Sequence, residues 1–163
     1  MTPFPQIIDE DYQRFDAVLN TFLSQSEASN ALIVEKAGYR IHEVGEKPAF
    51  NTDELATLAA NAFNATQFMV DRLGETNFTS MFQQGDGASV LWMNIEENSL
   101  LIVVFDASKS IGAVKYYAAE AAAAVAKQIA IAQARDASGG IDLAHLDPES
   151  ADDVFKKKDG EPQ

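Results

Sequence analysis

Cysteine is absent from the 163 residues. That removes a disulfide framework, a thiolate nucleophile and any Cys-ligated metal from consideration. Histidine is nearly as scarce: His42 and His145 stand far apart, and neither has a second histidine at metal-ligand spacing. His42 falls in an alternating stretch and reads as a surface or packing residue. No apolar run approaches the roughly 20 residues of a membrane span; LLIVVF at 100–105 has the length of a buried strand. There is no G-x-S-x-G elbow, and Asp9, Glu10, Asp11, Glu96 and Glu97 read as a helix start and a turn rather than an acid/base pair. The opening MTPFPQIIDEDYQRF carries neither a basic start nor an apolar h-region, so no signal peptide is expected and the predicted compartment is the cytoplasm. Positive charge is scarce as well. Twelve Lys and Arg face 25 Asp and Glu, a net charge of −13, which repels phosphate backbones and anionic membranes. The one basic cluster, Lys156 to Lys158, lies in a tail that also carries Asp159 and Glu161 and reads as solvated. Nucleic-acid binding, membrane insertion, a metal and a cofactor are therefore not expected.

What remains is a chain with 47% hydrophobic residues, enough for one domain with a real core. Ile8, Tyr12, Phe15, Val18, Leu19, Phe22 and Leu23 recur at helical spacing, so a first helix is predicted over Asp9–Leu23, opened by Asp9 or Asp11. ALIVEKAGYRIHEV reads as two strands with a tight turn at Gly38. Asn51 or Thr52 opens a second helix, which stops at Gly74. Three strands follow, FTSMFQQGDG, ASVLWMNI and SLLIVVFD, with connections short enough for antiparallel hairpins. A third helix is predicted from Ile111 to about Arg135, and residues 136–163 as a flexible acidic tail with a short helical candidate at 148–156. The order α-β-β-α-β-β-β-α implies an α+β sandwich on a five-stranded antiparallel sheet, with one domain over residues 1–135.

FDASKSIGAVKYY carries a Lys-Ser pair between a strand and a helix, the place a phosphate loop would occupy. Such a loop needs glycines before the lysine, so that backbone N–H groups converge on the phosphates. None precedes Lys109, Asp106 adds negative charge, and the neighbouring strands read as antiparallel. The expectation is a capped strand-to-helix turn.

The most informative segment is NTDELATLAANAFNATQFMVDRLG, which has no charge between Glu54 and Asp71. One stripe, Leu55, Leu58, Ala62, Thr66, Met69 and Leu73, is predicted to face the core. A second, Ala56, Ala60, Phe63, Gln67 and Val70, with Phe68 beside it, is predicted to form a protein interface. A wide core stripe in a helix buried on several sides is the plainer alternative. The alanine-rich third helix reads as core packing with high helix propensity.

Taken together, ALIVEKAGYRI, DELATLAANAF leading to RLGETNF, FQQGDGASVLWMNI, LLIVVFDASKSIGAVKYYAAEAA and ESADDVF resemble the Roadblock/dynein light chain domain family, and within it the bacterial MglB type. The resemblance implies a homodimer with the second helices packed together and the sheets joined. It implies a platform for a small Ras-like GTPase of the MglA type rather than an enzyme in itself. Members of this type stimulate GTP hydrolysis by reshaping the partner's switch regions, without an arginine finger, in cell polarity and motility, so recruitment to a cell pole is a further expectation. By the same resemblance the GTPase-facing residues are Ala60, Asn61, Asn64, Gln67, Phe68 and Asp71, and the dimer-interface residues Ala56, Phe63 and Val70. Phe68 and Asn64 are bulkier than the small residues of the family pattern. Asp153, Val154 and Phe155 resemble a tail segment that reaches the GTPase; a solubilising tail is the alternative. Two other readings are a Roadblock scaffold that binds a GTPase or receptor without activating it, and a small-ligand sensor of the related longin or profilin-like group.

Overall fold

The architecture of a computed structural model, which describes residues 3–76 and 78–139, follows the predicted order. Its elements are α1 (Asp9–Ser26), β1 (Asn30–Glu35), β2 (Arg40–Gly45), α2 (Thr52–Arg72), β3 (Ser80–Gln84), β4 (Ala88–Glu96), β5 (Ser99–Asp106) and α3 (Ile111–Gly139). The strands form one antiparallel sheet in the order β2-β1-β5-β4-β3. The Roadblock/longin-like α+β sandwich expected from the sequence is therefore present. Central β1 and β5 are buried on both faces, which explains the unbroken apolar runs ALIV and LLIVVF.

The two faces of the sheet are covered unequally. α1 and α3 pack side by side on one face, where Phe15, Leu19, Phe22, Ile33, Leu91, Leu101, Val103, Phe105, Val125 and Ile129 form the larger core. Among the described residues, α2 alone lies on the other, over Leu32, Val34, Trp92, Leu100 and Ile102. Beyond α2 toward β3, Phe78, Met81 and Val90 are only partly buried. Gly38 takes φ +104 in the β1–β2 turn, as its place in a tight hairpin requires. Gly45 has no room for a side chain: a Cβ there would stand 2.1 Å from the Ser29 carbonyl oxygen.

Two boundaries differ from expectation. α1 runs past Leu23 to Ser26, and α3 continues past Arg135 to Gly139. The second difference has a visible cause. Asp11, fully buried at the start of α1, accepts from Arg135 Nη2 at 2.6 Å, Gln128 Nε2 at 2.7 Å and the Ile8 N–H at 2.9 Å. The extended residues before α1 add a bond from the Gln6 N–H to Asp136 at 2.7 Å. These bonds fasten the last turns of α3 to the start of α1. Burial pushes the Asp11 carboxyl up, but the bonds from Arg135, Ile8 and Gln128 outweigh it and hold it below the usual carboxylate range. Among the described residues, no helix is long and apolar enough to cross a membrane.

Candidate partner-binding site

α2 opens with Asn51, whose side-chain oxygen caps the N–H groups of Asp53 and Glu54. It ends at Arg72, with Leu73 as C-cap followed by Gly74 at φ +81. Its buried residues are Ala56, Ala59, Ala60 and Phe63. Small side chains bring the helix so close to the sheet that Trp92 Nε1 donates to the Ala59 carbonyl at 3.1 Å. Phe63 stacks on Phe78 at 4.7 Å between centroids and lies under the Lys36 ammonium at 5.4 Å.

This orientation revises the predicted roles of the two stripes. Leu55 packs against the core as expected and Ala62 and Thr66 are half-buried, but Leu58 is 58% exposed, Met69 59% and Leu73 76%, so that part of the stripe expected in the core faces outward. Ala56 and Phe63, expected at a dimer seam, are instead inside the chain's own core, because the close helix-to-sheet approach consumes them. Ala60, expected to face a GTPase, is buried for the same reason. Val70 is half-buried.

The other predicted partner-facing residues fall into two groups. Asn61, Phe68 and Asp71 are exposed, Phe68 at 73%. Gln67 is half-buried and donates to Asp71 at 2.7 Å. Asn64 is half-buried and committed: its Nδ2 donates to the Lys36 carbonyl at 2.9 Å. It belongs to a row of ties that sequence reasoning missed. Thr57 Oγ1 donates to the Gly38 carbonyl at 3.1 Å, and Arg40 Nε to Asp53 at 2.7 Å. Lys36 Nζ in turn donates to the carbonyls of Glu96 at 3.0 Å and Glu97 at 2.8 Å. Burial pulls the Lys36 ammonium's pKa down, against the opposing influence of Glu96 and Glu97. The β1–β2 turn thus lies along one flank of α2. The opposite flank carries the outward apolar residues and leans toward β3, where Thr66 Oγ1 donates to Met81 Sδ at 3.4 Å.

The remaining candidates have local roles. His42 packs against Tyr12 and Phe15 and stands 3.3 Å from Asp16. At the β5–α3 corner Asp106 accepts from the Ser108 N–H and hydroxyl, which holds its carboxyl below the usual range, and Lys109 Nζ pairs with Glu27 at 3.0 Å. The strand-to-helix turn expected there is held by Asp106. His145, Lys156 to Lys158 and the predicted tail contacts Asp153, Val154 and Phe155 lie outside the described residues. An open groove of about 310 Å³ runs between α1 and α3 past Val18, Phe22 and Tyr117.

Comparisons with known proteins agree with this architecture. The Roadblock/LC7 domain model matches residues 14–105. The gliding protein MglB from Thermus thermophilus is 28% identical, with a TM-score of 0.75 over 81% of this chain and 100% of that one. A structure described as MglB with a tetrameric arrangement is 29% identical, with a TM-score of 0.75 over 81% of this chain and 99% of that one. Myxococcus xanthus MglB is 25% identical, with a TM-score of 0.68 over 71% and 94%. Acanthamoeba castellanii profilin IA shares the fold alone, at 18% identity and a TM-score of 0.50 over 70% and 98%. No curated protein matches the chain by sequence. With the family model matched over more than half its length and the sheet and helices in the expected order, the chain belongs to the Roadblock/LC7 domain family.

Proposed function

We propose that this chain is an MglB-like Roadblock homodimer that binds a small Ras-like GTPase of the MglA type and stimulates its GTP hydrolysis. The observation that carries the reading is the outward face of α2, where Leu58, Met69, Leu73 and Phe68 stand exposed on a helix with no charge between Glu54 and Asp71. Exposed apolar surface of this kind marks an interaction site.

The second copy belongs on the β3 side. The β2 edge is guarded by Arg40, His42 and Glu43 and by a register shift at Ile33/Val34. The β3 edge, SMFQQ, carries no charge and no proline, and an unguarded edge invites another strand. A second copy joined at β3 would also cover Met81, Val90 and the flank of α2 holding Leu58, Met69 and Leu73. The GTPase is then assigned to Asn61, Phe68 and Asp71 on the remaining outward surface.

Acceleration needs no chemistry from this chain, because phosphoryl transfer is governed by positioning and electrostatic stabilisation, which a platform supplies by organising the partner's loops. Arg40 and Arg135 are engaged with Asp53 and Asp11, Arg14 lies on α1 beyond the sheet, and Arg72 sits on a helix rather than a reaching loop. The setting is cytoplasmic polarity or motility control. A second reading, a scaffold that binds without accelerating, draws support from the bulk of Phe68 at the centre of the assigned surface. Binding of a GTPase loaded with a non-hydrolysable GTP analogue tests the assignment: Phe68→Arg should abolish it and leave the dimer intact. Undiminished binding by that variant would sink the site.

A further inference from the structure

The β1–β2 turn is built more firmly than a hairpin connection needs. The carbonyls of Glu35, Lys36, Gly38 and Tyr39 each accept a hydrogen bond, from Gly38 N–H, Asn64, Thr57 and Glu35 N–H respectively. The Lys36 N–H donates to the Asn98 carbonyl at 2.8 Å, and its ammonium grips the carbonyls of Glu96 and Glu97. The turn is thereby joined to α2 and to the β4–β5 turn at once. At its end stands Tyr39, 70% exposed.

From these features we infer that the β1–β2 turn is part of the partner-binding surface, with Tyr39 as a contact residue and Asn64 as the residue that positions it. The inference rests on the GTPase-platform reading and extends it beyond α2. Tyrosine gives large contact area with few rotatable bonds, and a turn fixed in advance spares the ordering cost of binding. Thr57, beside the turn, and Phe68 are about 16 Å apart along α2 at roughly 1.5 Å per residue, a separation one interface spans easily.

The charge around this surface defines its partner. Lys36 is satisfied by carbonyls and Arg40 by Asp53 and Glu43, while Arg72, one turn from Phe68, is an exposed cation outnumbered by the acids around it. Glu54, Asp71 and Glu97 are exposed. An apolar centre with an acidic rim fits a GTPase surface bearing Lys or Arg, one of which can lie over the Tyr39 ring.

The test titrates an MglA-type GTPase, loaded with a non-hydrolysable GTP analogue, onto the full-length protein. Tyr39→Ala should raise Kd at least tenfold, with dimer and melting temperature unchanged, and Tyr39→Phe should stay within threefold of the wild type. Asn64→Ala should also weaken binding, and amide exchange at residues 36–39 should quicken. In the Tyr39→Ala background Asn64→Ala should cost nothing more in affinity, since its effect runs through the turn. If Phe68→Arg abolishes binding while Tyr39→Ala stays within twofold, the turn is not a contact and this inference fails alone. If neither substitution changes binding, the platform lies elsewhere and the underlying reading fails with it.

Discussion

The two sides of the sheet solve the same problem differently. On one side α1 and α3 cover the strands and each other, and the charged pair at Asp11 and Arg135 locks their ends. On the other, α2 stands alone among the described residues, with Ala56, Ala59, Ala60 and Phe63 pressed to the sheet and Leu58, Phe68, Met69 and Leu73 turned outward. Beside Phe63 the core side of α2 is alanine, while four of its large apolar residues face solvent, which is the arrangement the proposed association would use. On the proposed function, the doubly covered side serves stability and the singly covered side association.

Substitutions that act on only one side sharpen this contrast. The largest effect is expected from Leu58→Arg combined with Met69→Arg. Light scattering should report monomers, with the circular dichroism spectrum of the folded chain retained; loss of fold instead would make these residues internal supports. Phe63→Ala should cost about 3–5 kcal/mol in urea denaturation, as a buried aromatic in the α2 layer. A cost near zero would mean that α2 is not packed as described.

Asp11→Ala, on the other side, should cost about 3 kcal/mol, at the low end for a broken buried pair because Arg135 is partly exposed. Its sign with pH follows from the lowered Asp11 pKa. The carboxylate contributes fully above the unfolded value of about 3.9, and the contribution is lost as pH falls through the lower folded value. The gap between wild type and Asp11→Ala, followed by denaturation across pH, should therefore narrow below about pH 4. The smallest effect is expected at Arg72→Ala. Hydrolysis rates of the bound GTPase should stay within twofold, and a thousandfold loss would make Arg72 a finger after all.

Much of the fold was legible because its signals are local. Helical spacing from Tyr12 to Leu23, the LLIVVF run and the turn at Gly38 depend on neighbours in sequence. The orientation of α2 was not legible, because apolar residues encircle it and large side chains ordinarily mark the core. Here the core side is three alanines and Phe63, and the alanines are admitted by the close approach that lets Trp92 reach the Ala59 carbonyl. Phe68 and Asn61 were correctly expected outside. Asn64 was expected to face a GTPase; its tie to the Lys36 carbonyl was not legible, because it joins residues 28 apart in sequence and no local pattern announces such a bond. The end of α3 was set too early for the same reason, since Asp11 and Gln6 hold it from the far end of the chain.

Single-turnover GTP hydrolysis by an MglA-type GTPase, with and without an excess of this protein, tests the central claim most directly. Binding would be followed in the same sample. The account predicts acceleration of tenfold or more, about 1.4 kcal/mol off the barrier, lost in Phe68→Arg. An unchanged rate with the GTPase fully bound would contradict it and leave a scaffold.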